Sequence, residues 1–272
     1  GNGILDPSVD ALGALEPMEC KRVTLLRHAH SRGQAAGSRT IRNTDESLRD
    51  CHLTRTGLSQ AKALAKDQAQ VLEEAELIVV SPLTRALVTC LVGLERVLDA
   101  KPDLRIVCHP LLRERGSKIP ENRARPLSAL QRDSTLTRLR HFSRVDFGLL
   151  PPDWPSDGVP PSQRQRGPPP KASSTEQFLA WCADQPARHI MAVTHHNVIR
   201  AFLQREPIGR ISNAVPIACE LTAEGLRLWK GGSSGARRHT EGPLPVPPPR
   251  AEESTQKIRL SVVEALDRKQ PG

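Results

Sequence analysis

The sequence predicts an α/β fold in which a doubly wound, mainly parallel sheet is flanked by helices. Four short apolar runs have the length of buried strands, helical patterns separate them, and the runs end in polar segments. Alternating strands and helices favour parallel pairing. Ligands of such sheets bind at the carboxyl ends of the strands, so the residues after each run form the candidate site. The predicted strands are 23–26, 77–80, 104–108 and 189–194.

The predicted helices lie between these strands. One begins after Thr54, a plausible N-cap, and carries apolar residues at helical spacing as far as Leu72. A second is predicted to begin at Ser81-Pro82, with Ser as the cap and Pro at the first helical position, and to reach Leu98. Further helices are predicted over 173–185 and 197–205, followed by a closing hairpin around Glu224-Gly225.

The chain of 272 residues is predicted to hold one catalytic domain over 21–230, between an N-terminal extension (1–20) and a tail (231–272). The stretch 151–170 is too rich in proline for regular structure and is predicted to be a disordered surface insertion. The tail is basic and rich in Pro and Gly, so it is predicted to be largely disordered. A cytoplasmic location is expected because the N-terminal segment does not resemble a secretory signal, although a targeting peptide could have preceded it.

Composition narrows the class of partner. A net charge of +9 suits an anionic partner, but basic surfaces that bind nucleic acid usually interleave aromatic residues, which make up only 3% here. The balance favours a small phosphorylated substrate over nucleic acid, and no apolar run is long enough for a membrane helix. The oligomeric state is left open. The cysteines are scattered without C-x-x-C spacing, which favours reduced structural thiols: Cys20, Cys51, Cys90, Cys108, Cys182 and Cys219.

Charged and nucleophilic side chains follow three of the predicted strands, and parallel pairing would bring them together. Arg27-His28 ends the first strand, Arg85 follows the second, and His195 ends the fourth. Arginine binds phosphate bidentately, and a neutral imidazole can attack phosphorus without a metal. Arg85 would also lie in the first turn of its helix, where free N–H groups favour an anion. Glu114, after the third strand, is the candidate proton donor for a leaving oxygen.

Five segments in order resemble the histidine phosphatase superfamily, the phosphoglycerate mutase-like group: LLRHAHSRGQ, HLTRTGLSQA, VVSPLTRALVTC, RERG and MAVTHHNVI. The resemblance spans about 21–230 and is nearest to the plant and fungal branch, which has a stretch similar to 120–125. It implies that His28 is the nucleophile that becomes phosphorylated and that Arg27 and Arg85 bind the phosphate. It also implies that His195 holds the transferred group, that Glu114 donates the proton, and that no metal or other cofactor takes part.

Three single positions and one dipeptide depart from the family pattern. Ala29 replaces the usual Gly, and His30 is unusual in its place. Gln34 stands where Asn is common and keeps an amide that can donate to phosphate. His196-Asn197 replaces a segment that normally contains glycine, so His196 is a candidate substrate contact.

Several alternatives stay open. The chain could be a mutase, which must retain its released intermediate, or a catalytically silent phosphate-binding or scaffolding module. Nucleic-acid binding without turnover is a weaker fourth reading. Glu114 could form only a surface ion pair with its neighbouring arginines, and His195-His196 could be a structural pair. His52 could contact substrate or simply terminate a turn, and Arg123 or Arg125 could bind a substrate anion or face solvent.

Overall fold

The computed structural model describes residues 21–116, 118–155 and 173–230. The predicted N-terminal extension, the C-terminal tail and most of the predicted proline-rich insertion therefore lie outside the described residues.

A seven-stranded mixed sheet forms the centre of the described chain, in the order β4-β3-β2-β5-β1-β6-β7. Strands β1 to β5 pair in parallel, whereas β6 is antiparallel to β1 and β7 is antiparallel to β6. This confirms the doubly wound, mainly parallel sheet and the closing hairpin. The strands are β1 (Arg22–Arg27), β2 (Leu77–Val80), β3 (Arg105–Cys108), β4 (Val145–Asp146), β5 (His189–Thr194), β6 (Pro216–Thr222) and β7 (Gly225–Leu228).

Helices cover the sheet, and short 3-10 turns occur at 46–48, 110–112, 120–122 and 142–144. Within the described ranges the α-helices are α1 (Arg32–Ala35), α2 (Arg39–Thr44), α3 (Arg55–Asp67), α4 (Ala69–Glu73), α5 (Thr84–Gly93), α6 (Glu95–Ala100), α7 (Leu127–Gln131), α8 (Ser134–Thr137), α9 (Ser174–Asp184) and α10 (His196–Phe202). Two sequence signals for helix starts are confirmed. Thr54 accepts a hydrogen bond from Gly57 N, and Ser173 forms a capping box with Glu176.

Both faces of the sheet are buried, which explains why the central strands are continuous apolar runs. Successive residues of β2 point to opposite faces. Ile78 and Val80 pack in the cluster that includes residues of α3, α5 and α6, whereas Leu77 and Val79 pack with α9 and α10. The carboxyl ends of β1, β2 and β5 are thereby fixed side by side.

The helix after β2 begins two residues later than Ser81-Pro82 predicts. Leu83 is extended (φ −77°, ψ 134°), so α5 begins at Thr84, and Ser81 is not its cap. Asp50 accepts from the Thr84 N–H instead (2.8 Å). The predicted helix to Leu98 is divided into α5 and α6 at Leu94.

Other boundaries differ in the same way. The helix that begins after Thr54 ends at Asp67, and residues up to Glu73 form the separate α4. Helix α10 starts at His196 and ends at Phe202, three residues before the predicted end. Strand β4 and the short α7 and α8 were not predicted, because segments of two to five residues are too short to show a period.

The five described cysteines are free and buried, and burial raises the pKa of Cys90, Cys182 and Cys219 to about 12. A buried thiol with a raised pKa is a poor nucleophile, in keeping with a structural role. Cys20 lies outside the described residues. Among the described helices, none is both long enough and apolar enough to cross a membrane.

Candidate active site

Two buried histidines face each other where β1 and β5 end. The ring centroids of His28 and His195 lie 5.0 Å apart, with the ring planes tilted by 54°. Arg85 reaches the same point from the first turn of α5, so the structure brings together three of the residues that the sequence places at this sheet edge.

The tautomer of His28 is set by the backbone carbonyl of the next residue. Nδ1 lies 2.8 Å from the Ala29 carbonyl oxygen, which can only accept, so Nδ1 carries the hydrogen and donates it. Nε2 is then unprotonated and accepts from Arg85 Nε at 3.3 Å. Burial, followed by the charge of Arg85, holds the pKa of His28 well below 6.5. His28 is therefore a neutral imidazole with its Nε2 lone pair directed into the site.

Arg85 is buried and is held by neutral groups. Besides His28 it donates through one Nη to the Glu121 carbonyl oxygen and through the other to Asn122 Oδ1 (2.8 Å). Both partners belong to the 3-10 turn at 120–122, so this turn fixes the guanidinium. Because no carboxylate is among these hydrogen-bond partners, the positive charge is available to a bound anion.

A buried carboxylate stabilises the start of the helix that carries Arg85. Asp50, itself in a left-handed conformation (φ 44°), accepts from both the N–H and the hydroxyl of Thr84 (2.8 and 2.6 Å). The sequence suggested that the N–H groups of this first turn are free for an anion, but the Thr84 N–H is already bonded to Asp50. The helix terminus therefore contributes less directly to anion binding than predicted.

Arg125 completes this cluster. It donates to Asp50 Oδ2 (2.9 Å), to Asp133 Oδ2 (2.9 Å) and to Thr84 Oγ1 (2.7 Å). The Arg125 guanidinium, one of the candidate contacts for a substrate anion, is therefore paired with two carboxylates of the protein. His52 lies 3.4 Å from the same Asp133 oxygen.

The guanidinium of Arg27 is also held by a neutral group. One Nη donates to the Ile211 carbonyl oxygen (2.7 Å), and its buried Nε has no hydrogen-bond partner among the described residues. Burial is the main cause that lowers the pKa of Arg27, and Glu114 opposes it. An unsatisfied buried N–H on a guanidinium suits a site that binds an anion.

Gln34 is bonded within the protein. Its side-chain amide exchanges two hydrogen bonds with that of Asn213, each of 3.1 Å, and Asn213 also donates to the His28 carbonyl oxygen (2.6 Å). The predicted donation from Gln34 to phosphate stays a prediction. Asn213 was not among the predicted site residues, because it lies in the irregular segment between α10 and β6, where no motif marks it.

His195 is fully buried and is bonded on one side only. Its Nε2 lies 2.7 Å from Ser81 Oγ, and its Nδ1 has no partner in the described part of the chain. Burial, then Arg85 and His28, hold the pKa of His195 well below 6.5. The neighbouring His196 is partly buried, and burial followed by Arg27 lowers its pKa.

Glu114 is buried, so the alternative of a surface ion pair is wrong. Its two carboxyl oxygens accept from the N–H groups of Arg115 (2.9 Å) and Asn197 (3.3 Å). Burial raises the pKa of Glu114 in spite of these bonds and of the nearby charge on Arg85. A carboxyl group with a raised pKa can hold the proton that a leaving oxygen needs.

A cleft of about 230 Å³ opens beside Glu114. Leu111, Val198 and Phe202 form its apolar part, and Arg113 and Arg115 also line it. No group of three or more His, Cys, Asp or Glu side chains within the described residues is arranged to hold a metal ion.

The mainly parallel sheet with two histidines and two arginines at its carboxyl edge is the arrangement that the histidine phosphatase resemblance implied. Residues 23–143 match the sequence profile of the histidine phosphatase superfamily, branch 1, which supports that superfamily for this chain. The matched segment includes Arg27, His28, Arg85 and Glu114. Membership of the plant and fungal branch stays a prediction, and no curated protein matches the sequence.

Solved structures of phosphatases have similar chain traces. The ecdysone phosphate phosphatase of Bombix mori, in complex with tungstate, is 14% identical with a TM-score of 0.49, covering 83% of this chain and 98% of its own. A mycobacterial glucosyl-3-phosphoglycerate phosphatase is 17% identical with a TM-score of 0.43, and the match covers 79% of this chain and 100% of that one. A phosphoserine phosphatase of Entamoeba histolytica is 17% identical with a TM-score of 0.42, and the match covers 78% of this chain and 97% of that one. Likeness at this level says nothing about the substrate.

Proposed function

We propose that the protein is a phosphatase that hydrolyses small phosphate monoesters through a phosphohistidine on His28, without a metal. The observation that carries this proposal is the hydrogen bond from His28 Nδ1 to the Ala29 carbonyl oxygen. It leaves the Nε2 lone pair of a neutral imidazole beside the guanidinium of Arg85, which is what attack on a bound phosphoryl group requires.

In the first step the phosphoryl oxygens bind to Arg27 and Arg85, and Nε2 of His28 attacks phosphorus in line with the leaving oxygen. A P–N bond forms as the P–O bond to the leaving group breaks, and the electron pair of that bond goes to the leaving oxygen. Glu114 gives its proton to this oxygen, so an alcohol departs and a carboxylate remains. The arginines compensate the charge that develops on the equatorial oxygens.

In the second step a water molecule attacks the phosphorus of the phosphohistidine. The Glu114 carboxylate takes a proton from that water, the P–N bond breaks, and its electron pair returns to Nε2 of His28. Inorganic phosphate leaves, and Glu114 is again protonated for the next cycle. Both steps thus use the same acid–base residue in opposite directions.

The leaving group would enter the cleft beside Glu114, since the proton donor must lie on the leaving-group side of the phosphorus. Glu114 is the residue of the proposed site that lines this cleft, and the apolar part of the cleft would accept a hydrocarbon portion of the leaving group. A mutase, which must hold its released intermediate between two transfers, is the alternative.

The test is phosphate release from a panel of phosphate monoesters that includes 3-phosphoglycerate, with a chelator present. Wild type is compared with His28→Ala and with the control His141→Asn, since His141 bonds Asp99 in a different part of the chain. We expect turnover by wild type and by the control, and an acid-labile phosphoryl adduct that is missing from His28→Ala in mass spectra of the intact protein. No release from any ester by wild type, or release that survives in His28→Ala, would contradict the proposal.

A further inference from the structure

We propose that Ser81 is a positioning residue whose hydroxyl group holds His195 in the tautomer that carries its hydrogen on Nδ1. That N–H is then directed to the oxygens of a bound phosphoryl group. The inference rests on the proposed function, because it assigns a role within the same site.

The backbone places Ser81 beside the strand that ends in His195. Ser81 follows β2 directly, is fully buried, and donates its N–H to the Val193 carbonyl oxygen in β5 (3.0 Å). Its Oγ lies 2.7 Å from His195 Nε2 and accepts a hydrogen bond from the Leu83 N–H at 3.3 Å. This bond joins residues two positions apart and lies ahead of the first turn of α5.

The direction of the Ser81–His195 bond follows from the number of hydrogens available. The Leu83 N–H already uses one acceptor position of Oγ, and the hydroxyl hydrogen of Ser81 needs an acceptor because the residue is buried. His195 Nε2 is the acceptor that the described residues provide, so the hydroxyl donates and Nε2 accepts. In a neutral ring the hydrogen must then be on Nδ1.

The opposite direction of the Ser81–His195 hydrogen bond leaves the Ser81 hydroxyl and His195 Nδ1 without suitable partners. If Nε2–H donated to Oγ, the hydroxyl hydrogen would have no acceptor among the described residues, and a lone pair on Nδ1 would face phosphoryl oxygens. The ring is neutral because burial, Arg85, His28 and Arg27 all lower the pKa of His195. A neutral imidazole carries its hydrogen on either Nδ1 or Nε2, and the Ser81 hydroxyl, which contacts Nε2 of His195, selects between these two tautomers.

The unpaired Nδ1 fits this assignment. It is buried and has no partner in the described part of the chain, which is costly for a donor unless a ligand completes the bond. The ring of His195 lies 5.0 Å from that of His28, the proposed nucleophile, so a phosphoryl group on His28 would be close to it. Ser81 thus acts on the reaction through His195 and does not itself need to contact substrate.

The direct test is the side-chain ¹⁵N spectrum of the histidines in the ligand-free protein at pH 7.5. The signals of His195 are identified by their loss in His195→Gln. We expect the Nδ1–H tautomer in wild type and in Ser81→Thr, and a mixture or the Nε2–H tautomer in Ser81→Ala. An Nε2–H tautomer in wild type would overturn the proposal, and so would an unchanged tautomer in Ser81→Ala.

Kinetics give a second readout. For any ester that wild type hydrolyses, we expect Ser81→Ala to lower kcat by about ten- to a hundredfold with a smaller change in KM, and Ser81→Thr to recover most of the loss. Equal kcat values for Ser81→Ala and wild type would contradict the role. The tautomer is measured without substrate, so a failure of this proposal is distinguishable from a failure of the phosphatase proposal. If neither variant folds, the wild-type tautomer still decides.

Discussion

Nε of Arg85 donates to Nε2 of His28 across 3.3 Å. The nitrogen proposed to attack phosphorus is therefore already covered by the group proposed to bind the phosphate. A phosphoryl group can reach Nε2 only if the Arg85 N–H turns from the nitrogen to a phosphoryl oxygen. The guanidinium would exchange a neutral acceptor for an anionic one, and charge-assisted bonds are the stronger kind.

Replacement of Arg85 by lysine tests this exchange. Lysine has no planar fork and cannot bond His28, the 120–122 turn and a phosphoryl oxygen from one position, so we expect Arg85→Lys to lower kcat/KM by about 10²-fold. Steady-state kinetics measure the change. Arg140→Lys is the matched control, since the Arg140 side chain is 63% exposed and its rates should equal those of wild type. A loss of less than threefold in Arg85→Lys would contradict the assignment.

Glu114→Gln should slow esters with poor leaving groups more than acyl phosphates. A protonated Glu114 is needed only where the leaving oxygen requires a proton, and acetate leaves without one. We expect the rate on an alkyl phosphate to fall by about 10²-fold or more, with a much smaller effect on the first step with acetyl phosphate. Rapid-quench measurements of phosphohistidine formation separate the two steps.

The pH profile gives an independent check on Glu114. Its pKa is raised by burial, so the donor form persists above the usual range of a glutamic acid, and the first step should weaken as pH rises through that raised pKa. In Glu114→Gln this basic limb should be absent. If Glu114→Gln slowed the first step equally with the alkyl phosphate and with acetyl phosphate, and the basic limb of the pH profile were unchanged, Glu114 would not be the proton donor.

Asp50→Asn should destabilise the protein strongly. The amide still accepts from the Thr84 N–H, but Arg125 loses one of its two carboxylates in a buried cluster. Breaking such a pair costs about 3 kcal/mol or more, which urea unfolding would show. Glu46→Gln is the control, because Glu46 pairs with Arg123 at the surface and is 62% exposed, so its free energy of unfolding should change by less than about 0.5 kcal/mol. Similar effects of the two variants would contradict the role given to Asp50.

The free energy of unfolding should fall as pH decreases from 7 to 5. Burial lowers the pKa of His109 from 6.5 to about 4, so the unfolded chain binds a proton in this range that the folded protein does not. The contribution of His109 to the free energy of unfolding is fully present above pH 6.5 and is lost as pH falls toward the pKa of the folded protein. By pH 5 about 2 kcal/mol of this contribution is lost. His28, His189 and His195 act in the same direction, since their pKa values are also lowered, whereas the raised pKa values of Asp50 and Glu114 act in the opposite direction.

His109→Asn isolates the contribution of His109. Asparagine keeps an acceptor for the Leu111 N–H but does not titrate. The difference in unfolding free energy between pH 7 and pH 5 should shrink by about 2 kcal/mol relative to wild type, whatever the absolute stability of the variant. An unchanged difference would show that His109 is not buried in its neutral form.

Gly33→Ala should impair catalysis although position 33 has no catalytic side chain. A Cβ there would lie 1.7 Å from Glu121 Oε2, and Glu121 is fixed by its ion pair with Arg42. Displacing Glu121 moves the carbonyl oxygen that binds Arg85. We expect kcat to fall by about tenfold or more. Gly209→Ala is the control, since no atom lies within 4 Å of its Cβ and its rates should not change.

Long periodic signals and strand-end motifs predicted the sheet and the convergence of Arg27, His28, Arg85 and His195. They succeed because each buried strand has to be apolar throughout, and its last residues then fall at a common edge. Glu114 was also predicted, but its burial was not. Charged neighbours on both sides suggest a surface position, whereas in the structure the Glu114 carboxyl group is buried and accepts from the Asn197 N–H at the start of α10.

The contacts that depend on distant loops could not be predicted. Asp50 and Asn213 each bond a site residue or its helix, but they lie in irregular segments where neither period nor motif marks a partner. The partners of Arg125 could not be predicted from the sequence either. Its charge suggested a substrate contact, whereas its neighbours in space are two carboxylates supplied from positions 50 and 133.

The hydrogen-bond partners of Arg27 and Arg85 are neutral carbonyl, amide and imidazole atoms, and the two cations lie close enough that Arg85 adds to burial in lowering the pKa of Arg27. This repulsion is present only in the folded state, and a phosphate dianion relieves it. Inorganic phosphate should therefore raise the melting temperature, with a gain in unfolding free energy of about 2.7 kcal/mol at a concentration of one hundred times its Kd. The conformational stability of the protein would then follow the concentration of its own reaction product.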